Sequence, residues 1–301
     1  MDMVTINPYF YRPCIFPILD SLNYGTAPTI NNGLTSGPFV TRFAVSLSVF
    51  NEKGELVKTV DKITYLEPGE VKKIDTRLYL NKLDLDHFQN SLGMLSLIPE
   101  KYFGLENVHV NRRELDSHVQ SSDDFIEFRQ EPKGVITGVA YQVGQQNDLQ
   151  FSKTRKTLVQ APKVIIGENV DTLLALMNVS TNFDYEDTAV FNFCLLDSDG
   201  RVITKGTIDV PSWTYRLISI HNILNKKDIL TEFTKRGGLG MIVGSCENAG
   251  LIPISMTRNI KTGAIACDHS LPPVYYVSTW SGKSRINAHE RLVNRFFREK
   301  L

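Results

Sequence analysis

The chain has 301 residues, with 33 basic and 33 acidic side chains, 42% hydrophobic residues and only four cysteines. This composition belongs to a folded globular protein and excludes a collagen-like repeat, a long low-complexity tail and a disulfide-dense miniature. A net charge of zero excludes a dedicated nucleic-acid binder, which needs surplus Lys and Arg to displace counterions from phosphate.

Residues 1–37 read as an N-terminal arm. Pro8, Pro13 and Pro17 interrupt it, and it lacks the basic and apolar regions of a secretory leader. No run of about 18 apolar residues occurs, so no membrane-spanning helix is expected. A cytoplasmic location follows as the expectation. The cysteines, Cys14, Cys194, Cys246 and Cys267, lack the CxxC spacing of a zinc site. Cys194, Trp213 and Cys246 fall in the Cys…Trp…Cys order of antibody domains, but Trp213 follows a proline in a different segment, so free buried thiols are expected. Asn178-Val179-Ser180 has the form of a glycosylation sequon.

The body of the chain alternates with period two. Phe43, Val45, Leu47 and Val49, separated by small residues, predict a half-buried strand. Asn51-Glu52-Lys53-Gly54 then predicts a turn, Leu56 to Val60 a returning strand, and Pro68-Gly69-Glu70 another turn. The same order recurs with Phe191, Phe193 and Leu195, the turn Asp197-Ser198-Asp199-Gly200, the strand from Arg201, and the turn at Pro211-Ser212. Gly93 to Ile98 matches Gly238 to Val243, and Phe128-Arg129 matches Thr257-Arg258. The expectation is a mainly β chain of two tandem antiparallel β-sandwich modules related by internal duplication, 38–150 and 151–273. The order of strands and turns is similar to that of immunoglobulin-like modules, a resemblance that implies fold and no activity.

Each module is expected to carry a helical insert, at about 77–91 and 221–235, the second capped by Ser219 and stopped by Gly237-Gly238. The polar stretch from Glu106 to Asp124 reads as a long inter-strand loop.

The candidate chemistry is sparse. Cys267-Asp268-His269 has the residue types of a nucleophilic triad, but neighbours on a strand point to opposite faces. Asp84, Asp86 and His87 lack the alternating oxygens and glycine of a calcium loop. His109 and His118 stand in no metal motif. Gly237-Gly238-Leu239-Gly240 follows a predicted helix, whereas a phosphate cradle precedes one. Arg129 and Arg258 occupy equivalent positions and, with Asp268 and His269, form the candidate set for a small anion or polar metabolite. No catalytic residue, metal or cofactor is expected.

Residues 274–301 carry the clearest signal. Tyr275, Tyr276 and Trp280 form an extended aromatic linker. A basic amphipathic helix is then predicted over about 287–300, with Leu292, Val293, Phe296 and Phe297 on one face and Arg291 and Arg295 among its cations. These residues are the candidate contacts for a protein partner or a sister subunit, with an anionic membrane surface as a lesser alternative. The functional expectation is a non-enzymatic structural or adaptor subunit. The alternatives are a small-anion or metabolite module, and an enzyme whose site forms between domains or subunits.

Overall fold

A computed structural model describes residues 3–19, 23–80, 90–120, 124–130, 136–140, 157–180, 182, 184–225, 227–268, 291 and 293–298. The chain is mainly β and its strands pair antiparallel. It divides into two compact units, Met1–Gln146 with Ser180–Tyr185, and Asn147–Val179 with Glu186–Leu301.

The first unit contains β1 (Met3–Ile6), β2 (Pro13–Pro17), β3 (Tyr24–Asn31), β4 (Phe43–Phe50), β5 (Leu56–Leu66), β6 (Val71–Lys73), β7 (Leu92–Pro99), β8 (Val108–Asn111), β9 (Phe125–Gln130) and β10 (Ile136–Ala140). They form two four-stranded sheets, β2-β7-β4-β5 and β10-β9-β3-β6, and a ribbon β1-β8. The residues expected to form a free arm thus supply three strands. Cys14, Ile15 and Phe16 are fully buried against β7, and β2 tolerates Pro13 and Pro17 because an edge strand leaves one side of its backbone unpaired. β4 was expected to be half buried, yet all eight of its residues are buried. Ala44, Ser46 and Ser48 are small enough for a second layer to close over the face they line.

The stretch from Glu106 to Asp124 departs from its expected loop. It folds as β8 and a helix, α1 (Arg112–Gln120). Among the described side chains of the helix, Leu115 is buried as an apolar residue, while Glu114 and His118 are buried as hydrogen-bonding groups. Its only apolar residues, Leu115 and Val119, make too short a period to stand out in a polar stretch.

The second unit contains β11 (Thr157–Ile165), β12 (Val170–Asn178), β13 (Ala189–Asp197), β14 (Val202–Val210), β15 (Thr214–Ser219), β16 (Leu239–Cys246), β17 (Leu251–Asn259) and β18 (Ile265–Asp268). The sheets are β11-β16-β13-β14 and β15-β12-β17-β18. Leu174 and Leu176 of one sheet and Phe191, Phe193, Leu195 and Ile242 of the other share a single buried core. The second helical insert forms two short helices, α2 (Ile220–Ile223) and α3 (Lys227–Lys235). Ser219 caps α2, its hydroxyl accepting the Asn222 N–H. In the first insert a 3₁₀ turn, Thr76–Leu78, is capped in the same way by Asp75. Residues 81–89, including Asp84, Asp86 and His87, lie outside the described residues.

With β8 set aside, the two units share one strand order. Counted from β2 and from β11, one sheet runs first, sixth, third, fourth, and the other fifth, second, seventh, eighth. The turns after β4 and β13 also agree. Asn51 and Asp197 each accept two backbone N–H groups on their side-chain oxygen, and Gly54 and Gly200 follow at φ of 83° and 78°. A glycine takes that left-handed conformation without steric cost.

Candidate functional site

The connection from β16 to β17 is four residues long, whereas the corresponding connection from β7 to β9 runs to 25 residues and holds β8 and α1. This insertion brings a group of ionisable side chains together with Tyr11. The Tyr11 hydroxyl lies 2.5 Å from His118 Nδ1, and His118 Nε2 lies 2.7 Å from the Phe39 carbonyl oxygen. A carbonyl only accepts, so Nε2 carries the proton and Nδ1 of the neutral ring accepts the Tyr11 O–H. Burial pushes the His118 pKa down and favours this neutral form. Glu114 is buried, meets Lys101 Nζ at 2.9 Å, and lies 3.4 Å from both the Tyr11 and Tyr102 hydroxyls. Burial first, and then the Glu114 charge, raises the Tyr11 hydroxyl pKa.

A tyrosine, a histidine and a carboxylate have the types of an acid–base relay, but access decides against that role. Tyr11 and His118 are each 1% exposed, and both ring nitrogens of His118 are occupied. The group acts as a polar joint that seats α1 beside Phe43, whose ring meets His118 edge-on at 5.1 Å. The sequence pattern singled out His118 but gave no reason to join it to Tyr11, 107 residues away.

Arg129 and Arg258 hold equivalent register positions, opposite Gly25 and Asp171 respectively. In the second unit Asp171 is 1% exposed and accepts the Ser219 hydroxyl at 2.7 Å and the His221 N–H at 2.9 Å, with Arg258 Nη2 at 3.6 Å. In the first unit the carboxylate has moved to Asp75, the counterpart of Ser219. Arg77 grips Asp75 through two hydrogen bonds, and its guanidinium lies 2.7 Å from where a Gly25 Cβ would sit. Arg77, and more weakly Arg129, holds the Asp75 carboxyl below its ordinary range. Each arginine thus faces a carboxylate. Asp268 pairs with Ser255 at the end of β18, and His269 lies outside the described residues.

At the C-terminus the described residues 291 and 293–298 are helical, ending in a five-residue π-helical turn, Asn294–Arg298, and the rest of the helix expected over 287–300 lies outside the described residues. Val293 and Phe296 are 5% and 8% exposed, and Phe296 packs on Cys194, Leu196 and Val243, with Phe297 partly buried beside it. This is the outward face of the β16-β13-β14 part of the sheet. Arg291 and Arg295 remain exposed. Tyr275, Tyr276, Trp280 and Leu292 lie outside the described residues.

Asn178 of the sequon is fully buried, and its amide donates to the Asp187 and Val210 carbonyls. Cys194 sits under Phe296 while Cys246 belongs to the core on the opposite face, so the two thiols do not pair. Among the described residues no three His, Cys, Asp or Glu side chains are placed to hold a metal, and no helix is long and apolar enough to cross a membrane.

No family model matches the chain, and no curated protein matches it. Among solved structures, a glycosyl hydrolase family 2 member from Bacteroides cellulosilyticus is similar at 6% identity and a TM-score of 0.20, over 85% of this chain and 25% of that one. A Bacteroides uniformis beta-glucuronidase is similar at 8% identity and a TM-score of 0.17, over 87% of this chain and 25% of that one. The chain spans about a quarter of the length of these structures, and likenesses at such TM-scores carry no argument about its fold or activity.

Proposed function

We propose that the chain is a tandem duplication of one immunoglobulin-like β-sandwich module, and that it serves as a non-enzymatic structural or adaptor subunit that binds protein through its sheet edges. The shared strand order and matched turns support the duplication. The binding role rests on where the exposed apolar side chains lie. In the first unit the open strands are β5, β6 and β10 together with β2. Leu56 and Val57 on β5, Val71 on β6 and Ile136 on β10 are 45%, 43%, 63% and 52% exposed. Edge strands are normally guarded by charge, bulges or proline, because unpaired backbone beside apolar side chains recruits another strand. Guards are present on these edges: Pro13 and Pro17 on β2, and two register slips along β5, one beside Lys62 at φ of 51° and one at Val57. Leu56 and Val57 nevertheless remain exposed beside the second slip. Strand addition there combines backbone hydrogen bonds with apolar pockets. The outward cations Arg291 and Arg295 extend the same role to the C-terminal turn.

The experiment is the size of the native particle. In extracts of its source the protein should run well above the 34.0 kDa of one chain, and Leu56→Lys with Val71→Lys should return it to that size. A wild-type protein that runs as a single chain, both in extract and when purified, would overturn the reading.

A further inference from the structure

We infer that the outward face of the second unit holds a binding site for a small organic monocarboxylate, in a groove formed by Ser245, Asn192, Lys205 and the C-terminal turn, apart from the edges assigned to protein binding. The groove encloses about 430 Å³, within the size range of small-molecule sites, roughly 300–1,000 Å³. Strand register builds its floor. Ser245 of β16 and Thr207 of β14 both lie opposite Asn192 of β13, one polar row across three strands. The next row places Lys205 opposite Cys194, whose thiol contacts the Phe296 carbonyl. Val293 and Phe297 form an apolar wall.

The chemistry of this row is one-sided. The Thr207 hydroxyl donates to Asn192 Oδ1 at 2.9 Å, which fixes the amide and leaves Nδ2 to donate elsewhere. Among the described residues, Lys205 has no carboxylate at ion-pair distance, and its charge is felt by the neighbouring Cys194 thiol. Ser245 is 2% exposed and lines the groove. An ammonium, an amide N–H and a hydroxyl beside the Val293 and Phe297 wall call for an acceptor-rich anion with an apolar body. Glu247 on the rim sets the charge, because its carboxylate repels a dianion such as phosphate more than a monoanion. The occupant that satisfies all of these is a carboxylate on a small apolar frame.

Titration calorimetry on the full chain tests this with phenylacetate and its neutral isostere phenylacetamide. Phenylacetate should bind with millimolar affinity or better, and phenylacetamide at least about tenfold more weakly. Lys205→Met, at an exposed position, should weaken phenylacetate at least tenfold without moving the melting temperature, and Ser245→Ala should weaken it several-fold. Lys261→Met, on a distant hairpin, should change nothing. Equal affinity for acid and amide, full binding by Lys205→Met, or no binding of phenylacetate at 10 mM, a concentration on the order of ten times the weakest expected Kd, would each overturn the inference.

Discussion

Asn32 and Asn178, 146 residues apart in sequence, make the same hydrogen bonds in their respective units. The Asn32 amide donates to the Thr41 carbonyl at 2.8 Å and the Leu66 carbonyl at 3.3 Å; the Asn178 amide donates to Asp187 and Val210, both at 2.8 Å. Each acceptor pair lies two residues before one strand and at the last residue of the next. Each asparagine's own carbonyl accepts the N–H of a residue with positive φ, Gly69 in one unit and Trp213 in the other. One side chain thus ties three segments at the same corner of both units. That a tryptophan at φ of 56° keeps the turn that glycine makes elsewhere shows how strongly the corner determines its backbone.

Replacing either asparagine should therefore destabilise its own unit by a similar amount. Asn32→Ala and Asn178→Ala each strand one buried carbonyl, Leu66 or Val210, and deprive one part-buried carbonyl of its donor, at about 1–3 kcal/mol for a buried group left unpaired. Urea unfolding should show a loss of about 2 kcal/mol or more in each variant. A loss under 0.5 kcal/mol, well below that scale, would mean that the corner is held by something else. For the same reason Asn178 should carry no glycan even when the chain is secreted.

The thiols give a second check. Burial pushes the Cys14, Cys194 and Cys246 thiols up, so little reactive thiolate exists at neutral pH. A disulfide-exchange reagent should label only Cys267, which is partly exposed, in the native protein, and all four in urea. A reductant should leave the melting temperature unchanged. Rapid native labelling of Cys194 would show that the Phe296 cover opens readily.

What could be read in advance followed from local physics. The turns at Gly54 and Gly200 announce themselves because a left-handed residue between alternating runs favours glycine. β2 and β3 stayed hidden because Pro13, Pro17 and Pro28 break the pattern, and only the pairing with β7 and β9 makes them strands. α1 was illegible because Leu115 and Val119 make too short an apolar period in a polar stretch. Phe296 was legible as a residue needing cover, but its cover, Cys194, Leu196 and Val243, comes from outward positions of two strands. The row of Ser245, Asn192 and Thr207 exists only through register, which a single sequence does not display.

The Tyr11–His118 joint gives a pH dependence with a definite sign. The unfolded histidine takes up its proton near 6.5, while burial lowers the folded value. Between these two values the unfolded chain binds more protons, so stability falls as pH drops below about 6.5 and stops falling below the folded value. Urea midpoints at pH 5.5 and 7.5 should differ, with the acidic one lower. In His118→Gln the amide can donate to Phe39 and accept from Tyr11 without titrating, so that difference should shrink. A wild type more stable at pH 5.5 would reverse the assignment of the neutral ring.

The C-terminal turn allows the sharpest separation of roles. Phe296 is buried on its own unit, and a phenylalanine side chain contributes roughly 1.5–3 kcal/mol when covered. Phe296→Asp replaces the ring that covers Cys194, Leu196 and Val243 with a short charged side chain, so the turn should detach. Because that contact lies within one unit, the melting temperature should drop while the particle mass stays constant. The Cys194 thiol should become reactive at the same time, since its cover is gone. Loss of the edge contacts has the opposite signature: Leu56→Lys with Val71→Lys should lower the particle mass and leave the melting temperature of the purified chain nearly unchanged. If Phe296→Asp instead halves the particle mass with no change in melting temperature, the turn belongs to an interface between chains, and its seat on β13 and β16 is one that a second copy can fill.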